Sequence, residues 1–363
     1  MALEVPSTGL SRSGMDSRLA SPDANDLFLK VFSGEILTSF AENNIMKGLH
    51  TVRTISSGKS AQFPVSGIAE ASYHTAGNSI IESNLSKIAM TEKVINIDDV
   101  LLASTFLPNV DELKQHYDVR SIYATELGKA LAKRFDIATM KTLYAAALSD
   151  SNLAASDGGK GGSQILSTTL DSAQGIVDAL YGVAEALDKK DAPDAGRFAI
   201  LSPREYYNLI TADNNAVSIA INADAKGSGS IATGKIAQVA GITIYKSNHL
   251  ADIADGLDDS AVTTGDGSSA VKNTVFDGGA GYNGNFQKLR SGDGTANSPY
   301  KYGILAGTKE AIGTVKLLDL ATESEYQIER QGHLFVAKYM MGHGVLRPEC
   351  AVAVEVEASA TDA

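Results

Sequence analysis

Apolar side chains first recur at helical spacing from Leu27: Leu27, Phe28, Val31, Phe32, Ile36, Leu37 and Phe40 fall on one face. The spacing predicts an amphipathic helix capped by Asn25 or Asp26. Residues 1 to about 25 are rich in Ser, Gly and Asp, carry no apolar period and read as a flexible arm. From Thr51 the period shortens. Thr51-Val52-Arg53-Thr54-Ile55 and Ala61-Gln62-Phe63-Pro64-Val65 have strand chemistry around a Ser56-Ser57-Gly58-Lys59 turn. Residues 87–97 alternate apolar with polar, and a loose stretch around Ala76-Gly77-Asn78 lies between. The simplest reading is a long two-stranded arm with a mobile tip. An isolated ribbon of that kind is marginal in water, and the rest of the chain offers no obvious cover for it. That points to a partner subunit.

A long helix follows. Pro108 with Asn109 or Asp111 marks its start. Val119, Ile122, Tyr123, Leu127, Leu131, Phe135 and Ala138 form one stripe, extended by Leu143, Ala147 and Leu148. A helix from about 112 to 148 would run roughly 55 Å, longer than a typical globular helix, and suggests a spine across an elongated or flat molecule. The period is not a sustained heptad, which argues against a coiled coil. Residues 149–166 form a Gly-rich linker. Leu170, Ile176, Val177, Leu180, Val183 and Leu187 then predict a helix capped near Thr168. Residues 197–201 read as a short apolar strand. Ser202-Pro203-Arg204-Glu205 after it is a strong helix start, with Ser at the cap, Pro at the first helical position and Glu at the third. Residues 241–246 read as another strand, so that 165 to about 310 alternates strands and helices around one small core. Residues 252–300, rich in Asp, Gly, Ser and Asn, read as an exposed loop system. From Ala311 onward, three segments read as sheet strands: 314–318, 334–339 and 351–354. No internal repeat is visible.

Composition narrows the function classes. The 363 residues carry a net charge of -12, so a basic nucleic-acid-gripping face is not expected. No apolar run approaches the ~20 residues of a bilayer span. The N-terminus lacks a basic region followed by an apolar core, so no secretory signal is expected. Cys350 is the sole cysteine, which rules out an intrachain disulfide and fits folding in a reducing cytoplasm.

The chemistry-bearing motifs are weak. Residues 229–236 nearly match a phosphate-cradling loop, but Ile236 stands where a magnesium-binding Ser or Thr is needed and no apolar strand leads in. Residues 265–270 match a dinucleotide pattern inside a Gly/Asp/Ser-rich loop with no helix after it. His50, His74, His116, His249, His333 and His343 form no zincin pattern. His333 and His343 have the spacing to meet across a hairpin, and satisfied imidazoles explain them. Cys350 reads as a buried small hydrophobe. Asp252, Asp255, Asp258, Asp259 and Asp266 lack the calcium-loop spacing and read as a solvated acidic loop. No residues are assigned to catalysis, a cofactor or a metal. What remains is an arm, a ribbon, a spine and a loop-rich second body, each extended piece short of internal cover, which suits a subunit covered by copies of itself.

Three segments carry a family resemblance. Residues 197–209, with Ser202-Pro203-Arg204-Glu205 at their centre, resemble the strand–Ser-Pro–helix element of tailed-phage major capsid proteins. Residues 239–248 are similar to their Gly, apolar-strand, Ser-Asn element. Residues 339–349, Tyr-Met-Met-Gly-His-Gly-Val-Leu-Arg-Pro-Glu, resemble the closing motif of the T-seven-like podovirus capsid proteins, the cyanophage and marine type. The order and spacing agree from about 26 to 356. The resemblance implies an α+β chain with the HK-97-like capsid fold. By it, residues 1–50 are an N-arm, 51–103 an extended E-loop, 104–164 the peripheral-domain spine helix and linker, 165–310 an axial domain, and 311–363 the peripheral-domain sheet and C-terminus. It implies a non-enzymatic shell protein that forms hexamers and pentamers of an icosahedral virion around double-stranded DNA, without sequence recognition and without a membrane. A separate scaffolding protein, a portal protein and assembly in the host bacterial cytoplasm are implied too. Lys59 and Lys87 lie where some members crosslink, but no matching Asn and Glu are identified, so non-covalent assembly is expected. Intersubunit contact is expected at Phe63, Val65, Tyr73, Ile80 and Ile81, where the E-loop lies over a neighbour's spine helix, and at Arg347 and Glu349 in the closing motif. The competing readings are an encapsulin-like nanocompartment shell and a nucleotide-binding enzyme.

Overall fold

The run Ala351-Val352-Ala353-Val354 has no polar side chain to turn to water, and in the structure, a computed structural model, all four residues are fully buried. The structure describes residues 35–40, 43–69, 71, 73–77, 79, 88–108, 119–154, 158–170, 172–210, 238–254, 289–291 and 301–356. They fall into two units. One comprises Met1–Asn44, Val100–Arg134 and Leu318–Met340; the other comprises Ile45–Asp99, Phe135–Leu317 and Met341–Ala363.

In the second unit that buried run is β14 (Ala351–Val356). It pairs in parallel with β5 (Ser163–Ser167) and antiparallel with β11 (Ile304–Gly307). β11 pairs antiparallel with β6 (Phe198–Leu201), which runs parallel to β8 (Ile242–Lys246), with β7 (Gln238–Val239) at the far edge. The described sheet order is β5-β14-β11-β6-β8-β7, and β9 (Arg290–Ser291) pairs antiparallel with β10 (Lys301–Tyr302) in a separate two-stranded sheet. A strand flanked on both sides needs continuous apolarity, and β14, β11 and β6 are buried along their whole lengths. The expectation that everything after 311 shares one sheet is corrected here: β14 sits among the strands of the 165–310 segment.

Helix α2 (Ala173–Asp188) covers this sheet with Ile176, Val177, Leu180, Val183 and Leu187 buried. Its cap is Ser172, whose Oγ accepts from Gly175 N at 3.1 Å, and not Thr168. The chain turns so tightly there that a Cβ on Gly175 would lie 2.0 Å from Thr169 O. Helix α3 (Pro203–Ile210) starts as its sequence predicts, with Tyr206 N donating to Ser202 O at 3.0 Å. The Ser202 hydroxyl donates to the buried Glu205 carboxylate, whose other oxygen accepts from Tyr302 N at 3.0 Å.

In the first unit, β4 (Leu101–Pro108) lies antiparallel to the first part of β13 (Gly332–Val345), from Gly332↔Pro108 to Tyr339↔Leu101. The four-stranded order is β1-β12-β13-β4, in which the first part of β12 (Ile312–Gln327) pairs with β1 (Thr51–Thr54), both within the second unit. Long helix α1 (Val119–Leu148), with β12 and β13, contributes residues to both units. Its 30 residues span about 45 Å. From Phe135 to Ala147 it is buried almost throughout, with Asp136 and Lys141 the charged residues among otherwise uncharged ones. Residues 35–40 are helical, as the Ile36/Phe40 spacing predicts, and rest on α1 where Ser39 Oγ donates to Thr125 O at 2.9 Å.

Two expected boundaries move. β1 is not part of the ribbon; it pairs in parallel with β12. Residues 101–103 belong to β4, which pairs with β13 and not with the ribbon. Residues 1–34, 81–87, 109–118, 211–237, 255–288, 292–300 and 357–363, with Ile80, lie outside the described residues. So do the arm, the spine's start, both nucleotide-like motifs and most of the acidic loop.

Candidate intersubunit surface

The ribbon consists of β2 (Ser60–Ser66) and β3 (Met90–Asn96), antiparallel with Ala61↔Ile95, Phe63↔Lys93 and Val65↔Thr91 in register. Opposed residues share a face. One face therefore carries Ala61, Phe63 and Val65 with Ile95, Lys93 and Thr91. The other carries Gln62, Pro64 and Ser66 with Val94, Glu92 and Met90. At the root the first face is buried: Ala61 and Ile95 are 6% and 2% exposed.

Three glycines seat that root. A Cβ on Gly344 would meet Ile95 Cγ1 at 2.6 Å, one on Gly313 would meet Ile95 Cδ1 at 3.3 Å, and one on Gly342 would meet Asn96 O at 2.0 Å. Asp98 N donates to Met341 O and Ile97 N to Lys59 O, closing the root. Sequence reading placed Gly342 and Gly344 in a motif without seeing this role. Glycines two apart inside an apolar strand are the available signal for a close backbone approach.

Farther out, Phe63 and Val65 are half-buried and line a concavity of about 370 Å³ with Ile68, Leu153, Lys190 and Arg347. The Arg53 guanidinium lies 5.6 Å from the Phe63 ring centroid and donates to Gln62 O at 2.7 Å. Both expected contact residues thus have part of their cover within their own chain. Tyr73 is fully exposed, and Ile80 and Ile81 lie outside the described residues. The other face of the ribbon leaves Met90 72% and Val94 43% exposed. On α1, the predicted apolar stripe is buried at Leu131 and Phe135 but exposed at Ile122 and Tyr123. Arg347 and Glu349 meet each other, Nε to Oε1 at 2.8 Å, and Arg347 also pairs with Glu310. These charges satisfy one another within one chain, with the guanidinium half-exposed.

Behind the root lies a buried imidazole pair. His343 and His50 flank Phe135, at ring distances of 5.3 and 5.6 Å. His343 Nδ1 bonds Thr314 Oγ1 at 2.9 Å, and His50 Nδ1–H donates to Met46 O at 2.7 Å. His333 lies elsewhere, beside Tyr326 and Phe335. Burial, with repulsion from His50, pushes the His343 pKa down to about 3. Burial lowers that of His50 too, aided by Lys316 and Lys309 and opposed by Met46 O and Asp136. An imidazole kept neutral in the fold contributes stability that is full above its unfolded value of ~6.5 and is lost as pH falls towards the folded value. At pH 5, His343 should therefore cost the fold about 2 kcal/mol relative to pH 7.5. Urea midpoints between pH 7.5 and 5 measure this. His343→Gln should flatten the slope, and an unchanged slope would remove His343 as its source. Cys350 is fully buried, and burial raises its thiol pKa, as its reading as a small hydrophobe expects.

A spine helix, a root-anchored ribbon and a mixed sheet closed by the C-terminal strand are thus in place. The sequence model of the Gp10A-like major capsid proteins matches residues 62–355, from the ribbon through β14. The chain belongs to the Gp10A-like major capsid protein family. As a family member it is 35% identical over 347 residues to the major capsid protein of Escherichia phage T7, covering 93% of each chain. The capsid structure of cyanophage P-SCSP1u matches with a TM-score of 0.65 and 33% identity, over 97% of this chain and all of that one. The virus-like particle from Pyrococcus furiosus, at 11% identity and a TM-score of 0.51, shares the fold alone. This capsid protein has the HK-97-like α+β fold and is a structural protein of the virion shell. The encapsulin-like alternative is not favoured.

Proposed function

We propose that many copies of this chain close into hexamers and pentamers of an icosahedral shell around double-stranded DNA, with a separate scaffolding protein directing closure and a portal protein at one vertex. Assembly takes place in the host bacterial cytoplasm and leaves no covalent link between subunits. We assign residues 1–50 to the N-arm, about 59–98 to the E-loop, α1 with β12, β13 and β4 to the peripheral domain, and the 165–310 segment with β14 to the axial domain. The net charge of -12 suits a wall that contains DNA and does not grip it.

The observation that carries this reading is a ribbon buried at its root and only partly covered beyond it, with Met90 at 72% exposure and Tyr73, past the end of β2, at 103%. Ile122 and Tyr123 on the spine helix are exposed as well. The E-loop of one subunit laid over the spine helix of the next would cover both sets. A standard interface buries about 1,600 Å², and several per subunit hold a cage even where each is weak.

Electron microscopy of the chain expressed alone and with its scaffolding protein tests the proposal. Closed particles of uniform size are expected; a monodisperse monomer under both conditions would overturn it. Tyr73→Asp should lower the yield of shells about tenfold while leaving the melting of the free subunit unchanged, because Tyr73 is fully exposed in the isolated chain. Normal yield from that variant would exclude Tyr73 from the contact.

A further inference from the structure

The concavity of about 370 Å³ beside the ribbon is lined from two parts of the chain. Phe63 and Val65 of β2, with Ile68 just past it, line it from the ribbon; Leu153, Leu346 and residues 158–160 line it from elsewhere in the second unit. The two parts are in close contact, since a Cβ on Gly158 would lie 3.0 Å from Ile68 Cβ. Three cations reach the space, and they differ. Arg347 holds Glu349 and Glu310, and Lys160 holds Asp191. Lys190 has a backbone carbonyl instead: its Nζ donates to Gly161 O at 2.5 Å, and no ion pair of the described residues engages it.

An ammonium carries three N–H donors, and taking it partly out of water is costly unless they find acceptors. Burial pulls the Lys190 pKa below the usual lysine range; Glu349 opposes this and Lys160 adds to it. Glu349 does not serve as the missing partner, because Arg347 Nε holds its Oε1 at 2.8 Å. An anion at Lys190 would make charge-assisted hydrogen bonds there. One unpaired ammonium beside Asp191, Glu310 and Glu349 suits a single negative charge and disfavours a dianion such as a phosphate monoester. Phe63, Val65 and Leu346 offer apolar surface that a hydrocarbon tail would cover. The volume of about 370 Å³ falls within the roughly 300–1,000 Å³ of small-molecule sites. We infer that this concavity binds a small carboxylate with an apolar tail, its carboxylate at Lys190 Nζ and its tail against Phe63, Val65 and Leu346. The ligand touches the ribbon and the segment after α1 at once, so its occupancy sets how firmly the ribbon rests on its own chain. The site lies within one chain and stands independently of the shell reading.

The test is calorimetric titration of the full chain with three probes: octanoate, octanol, which keeps the tail and lacks the charge, and acetate, which keeps the charge and lacks the tail. Octanoate is expected to bind about tenfold more tightly than either of the others. Lys190→Gln should weaken octanoate about tenfold and leave octanol unchanged. Lys190→Arg, which keeps the charge, should hold octanoate to within about threefold of the wild type. Phe63→Ala should weaken octanoate and octanol alike, by about tenfold. Octanoate that binds no more tightly than octanol, or that binds Lys190→Gln as it binds the wild type, would overturn the role of Lys190. Octanoate binding unmoved by Phe63→Ala would overturn the placement of the tail, and no binding of octanoate to the wild type would overturn the site. Shell yield enters none of these readings, so failure here leaves the shell reading standing.

Discussion

Gly342→Ala is expected to destabilise the subunit by about 3 kcal/mol and to abolish shell formation. The new methyl would lie 2.0 Å from Asn96 O, 2.8 Å from Ile97 Cα and 2.9 Å from Asn96 C. All three are backbone atoms of the ribbon root, so no side chain can rotate away to make room. The Asp98 N to Met341 O bond and the Ile97 N to Lys59 O bond lie beside the intruding group and would stretch or break. Gly344→Ala meets Ile95 Cγ1 at 2.6 Å. That atom belongs to a side chain, so a smaller loss of about 1–2 kcal/mol is expected. Gly48→Ala is the control: a Cβ there meets nothing within 4 Å, and a change within about 0.5 kcal/mol is expected. Urea midpoints of the three variants measure the ranking. Equal losses at 342 and 48 would show that the ribbon root does not need the flat seat.

How far the sequence was readable depended on whether a residue's role was local. Ser202, Pro203 and Glu205 opened a helix as their spacing requires, because a cap is decided within four residues. The stripe through Leu131 and Phe135 was legible for the same reason. The position of β14 was not: its run is equally good chemistry for any buried strand, and its partners β5 and β11 come from distant parts of the chain. β1 was joined to the ribbon because the Ser56-Ser57-Gly58-Lys59 turn predicts a hairpin, whereas its actual partner, β12, lies more than 250 residues away. Exposure divides in the same way: Tyr73 is exposed, as a side chain on an arm without cover is expected to be. Gly342 and Gly344 were visible as a motif, but their purpose depends on a backbone that crosses from residue 96.

Asp136→Ala is expected to destabilise the subunit by about 3–5 kcal/mol. The carboxylate is fully buried on α1. Its Oδ2 accepts from Ile45 N at 3.0 Å and its Oδ1 from Met46 N at 3.1 Å, which satisfies two donors at the start of the Met46–Gly48 3-10 turn. His249, at the start of helix α4 (His249–Ala254), places Nδ1 3.1 Å from Oδ2. One side chain thereby joins the long helix α1, the turn that leads into β1, and helix α4. Alanine would strand two backbone N–H groups away from water at about 1–3 kcal/mol each. His249→Ala removes one partner and leaves both N–H bonds intact, so a loss of about 1 kcal/mol is expected. Asp136→Asn separates the explanations. Asparagine fills the same volume but offers one oxygen, and its amide would face one of the two N–H donors. If the paired acceptors matter, Asn should be nearly as damaging as Ala. If filling the space is enough, Asn should unfold at close to the wild-type urea concentration, and the account of Asp136 as a double acceptor would fail.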